Sequence, residues 1–199
     1  MTRAHRSGAA PAVVLVALGV CTLAATPARA AFLTLSDAQQ AEALRVGQRS
    51  TTTETRFDGE WQIENPGGES LTVITPFHRL ALAARHAAFK NEPVKPQDQT
   101  KMLQSLRDRL MFWVYLHGQR EDFARYYMPR LVVGDLEVEP VFVQNERTSL
   151  RQTNGSFLAR SVYAFPTKEI TGQSKLTLVI RDRDGQVISR FAVDLAKMR

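Results

Sequence analysis

The chain has 199 residues, 44% of them hydrophobic, which is enough for one domain with its own core. Its one cysteine, Cys21, lies within the first 30 residues, so residues 31–199 contain none, and structural disulfides, thiolate metal sites and cysteine nucleophiles are excluded there. The formal net charge is +6, but Arg3, Arg6 and Arg29 lie in an N-terminal segment without acidic residues. Removing these three arginines takes the charge from +6 to +3. A charge this small does not indicate nucleic acid as a partner.

The first 30 residues have the features of an export signal. A basic start precedes an apolar stretch over residues 9–25, and the small-x-small pattern Ala28-Arg29-Ala30 follows it. We expect cleavage between Ala30 and Ala31, with no stable membrane insertion afterwards and a periplasmic or secreted mature protein. Two alternatives stay open, a retained membrane anchor and lipidation of Cys21. The alanine-rich composition disfavours the anchor, and the valine before the cysteine disfavours lipidation.

The mature chain is predicted to begin with a short helix and a polar linker over residues 31–55. Ser36-Asp-Ala-Gln39 has the form of a capping box, which starts a helix. The helix is expected to continue to about Val46 and to end at Gly47, with Ala38, Ala41 and Leu44 on its apolar stripe. Residues 48–55 are rich in Ser and Thr and are interpreted as a linker.

Residues 56–199 are predicted to form a single domain that opens with a β-hairpin and an inserted pair of helices. Trp61 and Ile63 share a strand face, and Leu71–Thr75 forms the return strand after a turn. Thr75-Pro76 is a typical helix start, and prolines later in the chain end this helix and begin a second one. The helical insertion is expected over about residues 76–109.

The rest of the chain is predicted to consist of strands. Leu110–Leu116 is apolar on both faces, which favours a central strand over an extension of the preceding helix. Further strands are expected in the segments Leu131–Val133, Leu136–Gln144, Phe157–Phe165, Lys175–Arg181 and Val187–Leu195. The last two form a hairpin around Asp182-Arg-Asp-Gly185, which has turn chemistry rather than the ligand spacing of a calcium loop.

About eight strands at antiparallel spacing indicate a mainly β, α+β protein. The expected architecture is an antiparallel β-sandwich, immunoglobulin-like in a loose sense, with the inserted αα-hairpin and the short N-terminal helix. The alternative is an α+β layer in which the helices cover one sheet.

The sequence carries no catalytic, cofactor-binding or metal-binding motif, so no catalytic residue, cofactor or metal ligand is assigned. His78 and His86 lie eight residues apart, about 12 Å along one helix, and cannot both bind one metal ion. They are interpreted as packing or surface residues. His117 lies at a strand end, on the same face as Trp113 and Tyr115, and would suggest catalysis only beside a serine and an acid.

One stretch is a candidate partner patch, because Tyr and Arg are enriched at protein interfaces. It consists of Phe123, Arg125, Tyr126, Tyr127 and Arg130. The alternative is that Phe123 and one tyrosine fix a loop to the core.

The sequence therefore predicts an exported, non-enzymatic binding or scaffolding domain of the bacterial envelope. Its partner would be another envelope protein or an envelope polymer. A metal-independent hydrolase of polysaccharide or peptide is the first alternative. A small-ligand sensor is the second, and it would require an enclosed apolar cavity.

The leader assignment predicts the N-terminus of the exported protein. Mass spectrometry of protein recovered after export should show Ala31 as the first residue, since signal peptidase cuts after the small-x-small pattern. An intact Met1 terminus would contradict the assignment.

Overall fold

The computed structural model describes residues 1, 31, 33–53 and 56–199. Over these residues the protein is mixed α/β, with two antiparallel sheets and three α-helices. Residues 2–30, which contain the predicted leader and Ala30, lie outside the described residues, so cleavage there stays a prediction. None of the helices in the described part of the chain is long and apolar enough to cross a bilayer.

The larger sheet is built on the pairing of β3 (Arg109–Gly118) with β8 (Phe157–Pro166). Ten consecutive residues of β3 have partners in β8. One face of β3 is fully buried through Leu110, Phe112, Val114 and Leu116. The prediction of a strand over residues 110–116 is therefore confirmed.

Short strands extend this sheet on both sides of the central pair. On the β3 side lie β2 (Ser70–Ile74) and β1 (Gln62–Glu64). On the β8 side lie β6 (Phe142–Gln144) and β7 (Leu150–Arg151), which pair with different parts of β8.

The smaller sheet has the order β10-β9-β4-β5. Its strands are β4 (Met128–Val133), β5 (Leu136–Val138), β9 (Lys175–Arg181) and β10 (Val187–Asp194). The predicted C-terminal hairpin is confirmed, with Gly185 at a φ of +81° in the turn between β9 and β10. A glycine tolerates this left-handed conformation because it has no Cβ.

The expectation of one strand over residues 136–144 was wrong. The chain leaves the smaller sheet after β5 and enters the larger sheet at β6. Pro140 lies between the two strands and has no backbone N–H to donate to a ladder, which favours an interruption at this point.

Both sheets contribute to one hydrophobic core. The rings of Phe112 and Phe165 in the larger sheet meet at 5.8 Å between centroids, and Leu178 and Phe191 of the smaller sheet belong to the same buried cluster. Burial of such side chains from water is the main favourable contribution to folding. The strands of both sheets thus pack around a common core.

The N-terminal helix α1 (Asp37–Thr53) is longer than predicted. Its capping box is present, since the Ser36 N–H donates to Gln39 Oε1 at 2.8 Å. The helix does not end at Gly47, so the expected boundary and the linker over residues 48–53 were wrong. Residues 54 and 55 of that linker lie outside the described part.

Gly47 is a packing position between α1 and the helix α2 (Pro76–Phe89). A Cβ atom at Gly47 would lie 2.0 Å from the Ala81 carbonyl oxygen and 2.8 Å from Ala84 Cβ. The buried face of α1 consists of Ala43, Gly47 and Ser50, whereas the predicted stripe residues Ala38 and Ala41 are exposed. Small residues on both helices let the two backbones approach closely.

The inserted helices differ in how deeply they are packed. Thr75 caps α2 through its Oγ1, which accepts a hydrogen bond from the His78 N–H at 3.1 Å. The helix α3 (Pro96–Ser105) has no buried residue and ends before Arg109, the predicted boundary. Asp108 has a φ of +59°, a left-handed conformation that separates the helix from β3.

Replacing Gly47 with Ala should lower the free energy of unfolding by about 2 kcal/mol, because the added methyl group overlaps backbone atoms of α2. The intrinsic helix preference of Ala acts in the opposite direction, by about 1 kcal/mol. Chemical denaturation of the wild type and the variant measures the net change in the free energy of unfolding. The control is Gly67→Ala, where a Cβ has no neighbour within 4 Å, and an equal effect of both substitutions would contradict the packing role of Gly47.

Candidate functional site

The segment that follows β3 folds into consecutive turns. The N–H groups of Phe123, Arg125 and Tyr127 each donate to a carbonyl three residues earlier, at 3.3, 3.1 and 3.2 Å. Ala124 is completely buried beneath these turns. Residues 121–126 are therefore hydrogen-bonded turns and not a helix.

Two aromatic residues of the predicted patch fix these turns to the body of the protein. Phe123 and Tyr127 are half-buried, and their rings meet edge to face at 5.9 Å between centroids. Phe123 lies directly over Gly118 at the end of β3, where a Cβ would be 2.2 Å from its ring. Burial, assisted by the charges of Glu69 and Asp182, raises the pKa of Tyr127.

Asn145 connects the turns to the larger sheet. Its Nδ2 donates to the carbonyl of Tyr127 at 2.8 Å, and its Oδ1 accepts a hydrogen bond from the Tyr163 hydroxyl at 2.9 Å. Tyr163 is completely buried on β8, and burial raises the pKa of its hydroxyl to about 12. This chain of contacts holds the backbone around Tyr126 in place.

Tyr126 projects from this fixed backbone, with 55% of its surface exposed. The guanidinium carbons of Arg125 and Arg183 lie 5.4 Å and 5.7 Å from its ring centroid. Arg183 comes from the β9–β10 turn, so the contact joins two distant parts of the chain. Within the described residues, neither arginine forms an ion pair. We call Arg125, Tyr126 and Arg183 the Tyr126 patch.

Arg130 lies apart from the Tyr126 patch. Its side chain is 29% exposed, with Nη2 3.2 Å from Glu139 Oε1 and Nε 3.5 Å from Glu137 Oε1. Of the five predicted patch residues, the structure therefore places only Arg125 and Tyr126 together on an exposed surface. Arg183 was not predicted as part of the patch, because it lies 57 positions after Tyr126 in the sequence and only the fold brings the two together.

His78 is a buried packing residue with one polar contact. Its Nε2 lies 2.8 Å from Asp58 Oδ1, and its ring lies 4.8 Å from Trp61 and 6.0 Å from Phe57, measured between centroids. Asp58 was not predicted as a partner of His78, because it lies twenty positions earlier in the sequence and belongs to no motif.

Asp58 also lines an open groove of about 630 Å³ between α2 and β1. The other charged or ionisable residues of the groove wall are Arg56, Glu64, Arg85 and His86. The groove is polar and open, unlike the enclosed apolar cavity that a small-ligand sensor would require. His117 is exposed and lies elsewhere, beside Gly68. In the described part of the chain, no group of three or more His, Cys, Asp or Glu side chains could hold a metal ion.

Comparisons with known proteins add only a distant structural likeness. No family model matches the chain, and no curated protein matches it. Among solved structures, the chain is similar to a protein of unknown function from Burkholderia pseudomallei K96243. The match has 8% sequence identity and a TM-score of 0.42, and it covers 82% of this chain and 91% of that chain. A likeness of this degree supports no functional argument.

The buried hydroxyl of Tyr163 predicts a specific loss of stability at alkaline pH. The folded-state pKa of Tyr163 is about 12, above the ordinary value of 10.0. The neutral hydroxyl therefore makes its full contribution to the free energy of unfolding below pH 10, and this contribution is lost as the pH rises towards 12. The loss should approach about 1.4 kcal/mol per pH unit.

The matched variant is Tyr163→Phe, which cannot ionise at this position. The difference in free energy of unfolding between wild type and variant should narrow from pH 9 to pH 12. Parallel stability curves over this range would contradict the assignment.

Proposed function

We propose that the protein is an exported, non-enzymatic binding domain of the bacterial envelope, and that the Tyr126 patch binds its partner. The observation that carries the proposal is an exposed tyrosine ring that contacts two guanidinium groups, neither of which has an ion-pair partner among the described residues. Tyrosine and arginine are the residue types that most often dominate binding energy at interfaces.

The charges of the patch favour a partner that carries carboxylates. Arg125 and Arg183 each offer a planar set of N–H donors that matches a carboxylate in a bidentate arrangement. The tyrosine ring supplies apolar contact area beside them. An acidic surface on another envelope protein has this chemistry, and an anionic envelope polymer is the alternative partner.

The support beneath the patch favours binding without rearrangement. Asn145 fixes the backbone on either side of Tyr126, and Phe123 anchors the turn over Gly118. A binding surface that is already ordered loses less conformational entropy when the partner arrives. Phe123 and Tyr127, the half-buried residues of the predicted patch, would therefore assist binding by holding Arg125 and Tyr126 in position.

For the architecture, we propose a β-sandwich that is immunoglobulin-like in a loose sense. Three connections support it, because the chain passes from one sheet to the other after β3, β5 and β8. Side chains also link the two sheets at one side, where Asn65 Nδ2 donates to Ser189 Oγ at 3.2 Å. Ser189 in turn donates to Glu69 Oε2 at 2.5 Å.

A hydrolase of polysaccharide or peptide is the second candidate function. The groove beside α2 favours it, because two carboxyl groups, Asp58 and Glu64, line the same groove as His86. Such groups perform acid–base hydrolysis when correctly spaced. Hydrolysis of an envelope polymer that is lost in both Asp58→Asn and Glu64→Gln variants would support this function over binding.

The binding proposal is tested by comparing variants in an envelope pull-down. Tyr126→Ala and Arg183→Glu should each reduce capture of the partner by about tenfold or more, as expected for hot-spot residues. Phe89→Ala is the matched control, because Phe89 is also an exposed aromatic ring beside an arginine, 61% exposed and 5.4 Å from Arg85.

The outcomes separate the Tyr126 patch from the rest of the surface. Loss of one captured component in both patch variants, with full capture by Phe89→Ala, supports the proposal. Equal capture by all four proteins, or equal loss in the control, would contradict it. Circular dichroism on each variant establishes that the fold is intact.

A further inference from the structure

The groove between α2 and β1 carries charged groups of both signs on facing walls. The wall formed by residues 56–64 supplies the carboxylates of Asp58 and Glu64, and α2 supplies Arg85 and His86. Among the described residues, neither carboxylate forms an ion pair with Arg85 or His86. Because opposite charges attract each other, walls that hold them apart offer a place for a ligand that carries both charges.

Asp58 is held in position by a buried residue. His78 is completely buried on α2, and its Nε2 lies 2.8 Å from Asp58 Oδ1. Since a carboxylate only accepts hydrogen bonds, this ring nitrogen carries a proton and is the donor. The second oxygen, Oδ2, has no partner in the part of the chain that the structure describes, and the side chain is 45% exposed. Asp58 therefore presents a fixed and accessible carboxylate to the groove.

Arg85 is held on the opposite wall by α1 and by two aromatic rings. Its Nη1 donates to the carbonyl of Ser50, in the last turn of α1, at 3.0 Å. Its guanidinium carbon lies 5.1 Å from the ring centroid of Phe57 and 5.4 Å from that of Phe89. A guanidinium has several N–H donors in one plane, so the single bond to Ser50 leaves donors for an anionic group of a ligand.

The size and polarity of the groove suit a small charged ligand. Its volume of about 630 Å³ lies within the usual range of ligand sites, roughly 300–1,000 Å³. Its lining is mainly polar, and Leu82 adds a limited apolar contact. A fixed anion that faces a fixed cation matches a dipolar molecule, which carries an ammonium group and a carboxylate.

We propose that this groove binds a dipolar ligand of the amino acid and short peptide class. The ammonium group of the ligand contacts Asp58, and its carboxylate contacts Arg85. Glu64 adds negative charge on the same wall as Asp58. The site is separate from the Tyr126 patch and does not depend on the partner proposed there. Binding also requires no cleavage of the ligand, which distinguishes it from hydrolysis in the same groove.

Isothermal titration calorimetry with blocked ligands tests the two charge contacts on the wild-type protein. Dialanine should bind. N-acetyl-dialanine, which lacks the ammonium group, and dialanine amide, which lacks the carboxylate, should each bind about tenfold more weakly, since each loses one charge-assisted hydrogen bond. Titrations with alanine and trialanine show whether the natural source of this chemistry is a free amino acid or a peptide, because the better fit binds more tightly.

Two substitutions assign each contact to its residue. Asp58→Asn keeps an acceptor oxygen for His78 and removes the charge, so it should weaken dialanine binding about tenfold and leave N-acetyl-dialanine binding unchanged. Arg85→Gln should weaken dialanine binding and leave dialanine amide binding unchanged. Asp135→Asn is the matched control, because Asp135 is an exposed carboxylate in the β4–β5 turn, and it should change neither affinity.

Three results would overturn the proposal. The first is the absence of binding of alanine, dialanine and trialanine at millimolar concentrations. The second is equal affinity of the wild type for dialanine and both blocked forms. The third is an effect of Asp135→Asn equal to that of Asp58→Asn. Should either groove variant fail to fold, as seen by circular dichroism, the blocked ligands still test the same contacts on the wild type.

Discussion

The pairing of β3 with β8 is the interaction on which the rest of the structure depends. These two ten-residue strands pair along their whole length, and one face of the pair supplies an aromatic contact of the core, between Phe112 and Phe165. The central pair carries β2 on one side and the open edge strand β6 on the other. The turns that hold Tyr126 begin where β3 ends, so the candidate site is placed by the same strands that build the core.

Two further constraints connect the ends of the described chain to this sheet. Trp61 donates its indole N–H to the Arg199 carbonyl oxygen at 2.8 Å, and the Arg199 side chain forms a bidentate ion pair with Glu60. Glu60 is only 12% exposed, which strengthens a charge-assisted bond relative to one at the surface. On the other side, Gly47 allows α1 to approach α2 closely. Helices α1 and α2 are therefore an integral layer of the protein, whereas α3 is peripheral.

Much of the fold could be predicted from the sequence, because local patterns determine it. Alternation and turn residues located β9 and β10, and Thr75-Pro76 located the start of α2. The end of α1 was missed because Gly47 in isolation resembles a helix stop, and only the contact with Ala81 shows its packing role. The break between β5 and β6 was missed because sequence periodicity does not show which sheet a strand joins. The site was predicted in part, since Tyr126 and Arg125 are adjacent in sequence but Arg183 reaches them only through the tertiary structure.

The proposed function requires that Tyr126 contacts an envelope partner. The most direct test is photo-crosslinking in the living cell from a photoreactive amino acid at position 126, compared with the same residue at position 89. We expect a specific crosslinked envelope component at position 126 and none at position 89. Equal crosslinking at both positions, or no crosslink at position 126 in correctly folded protein, would contradict it.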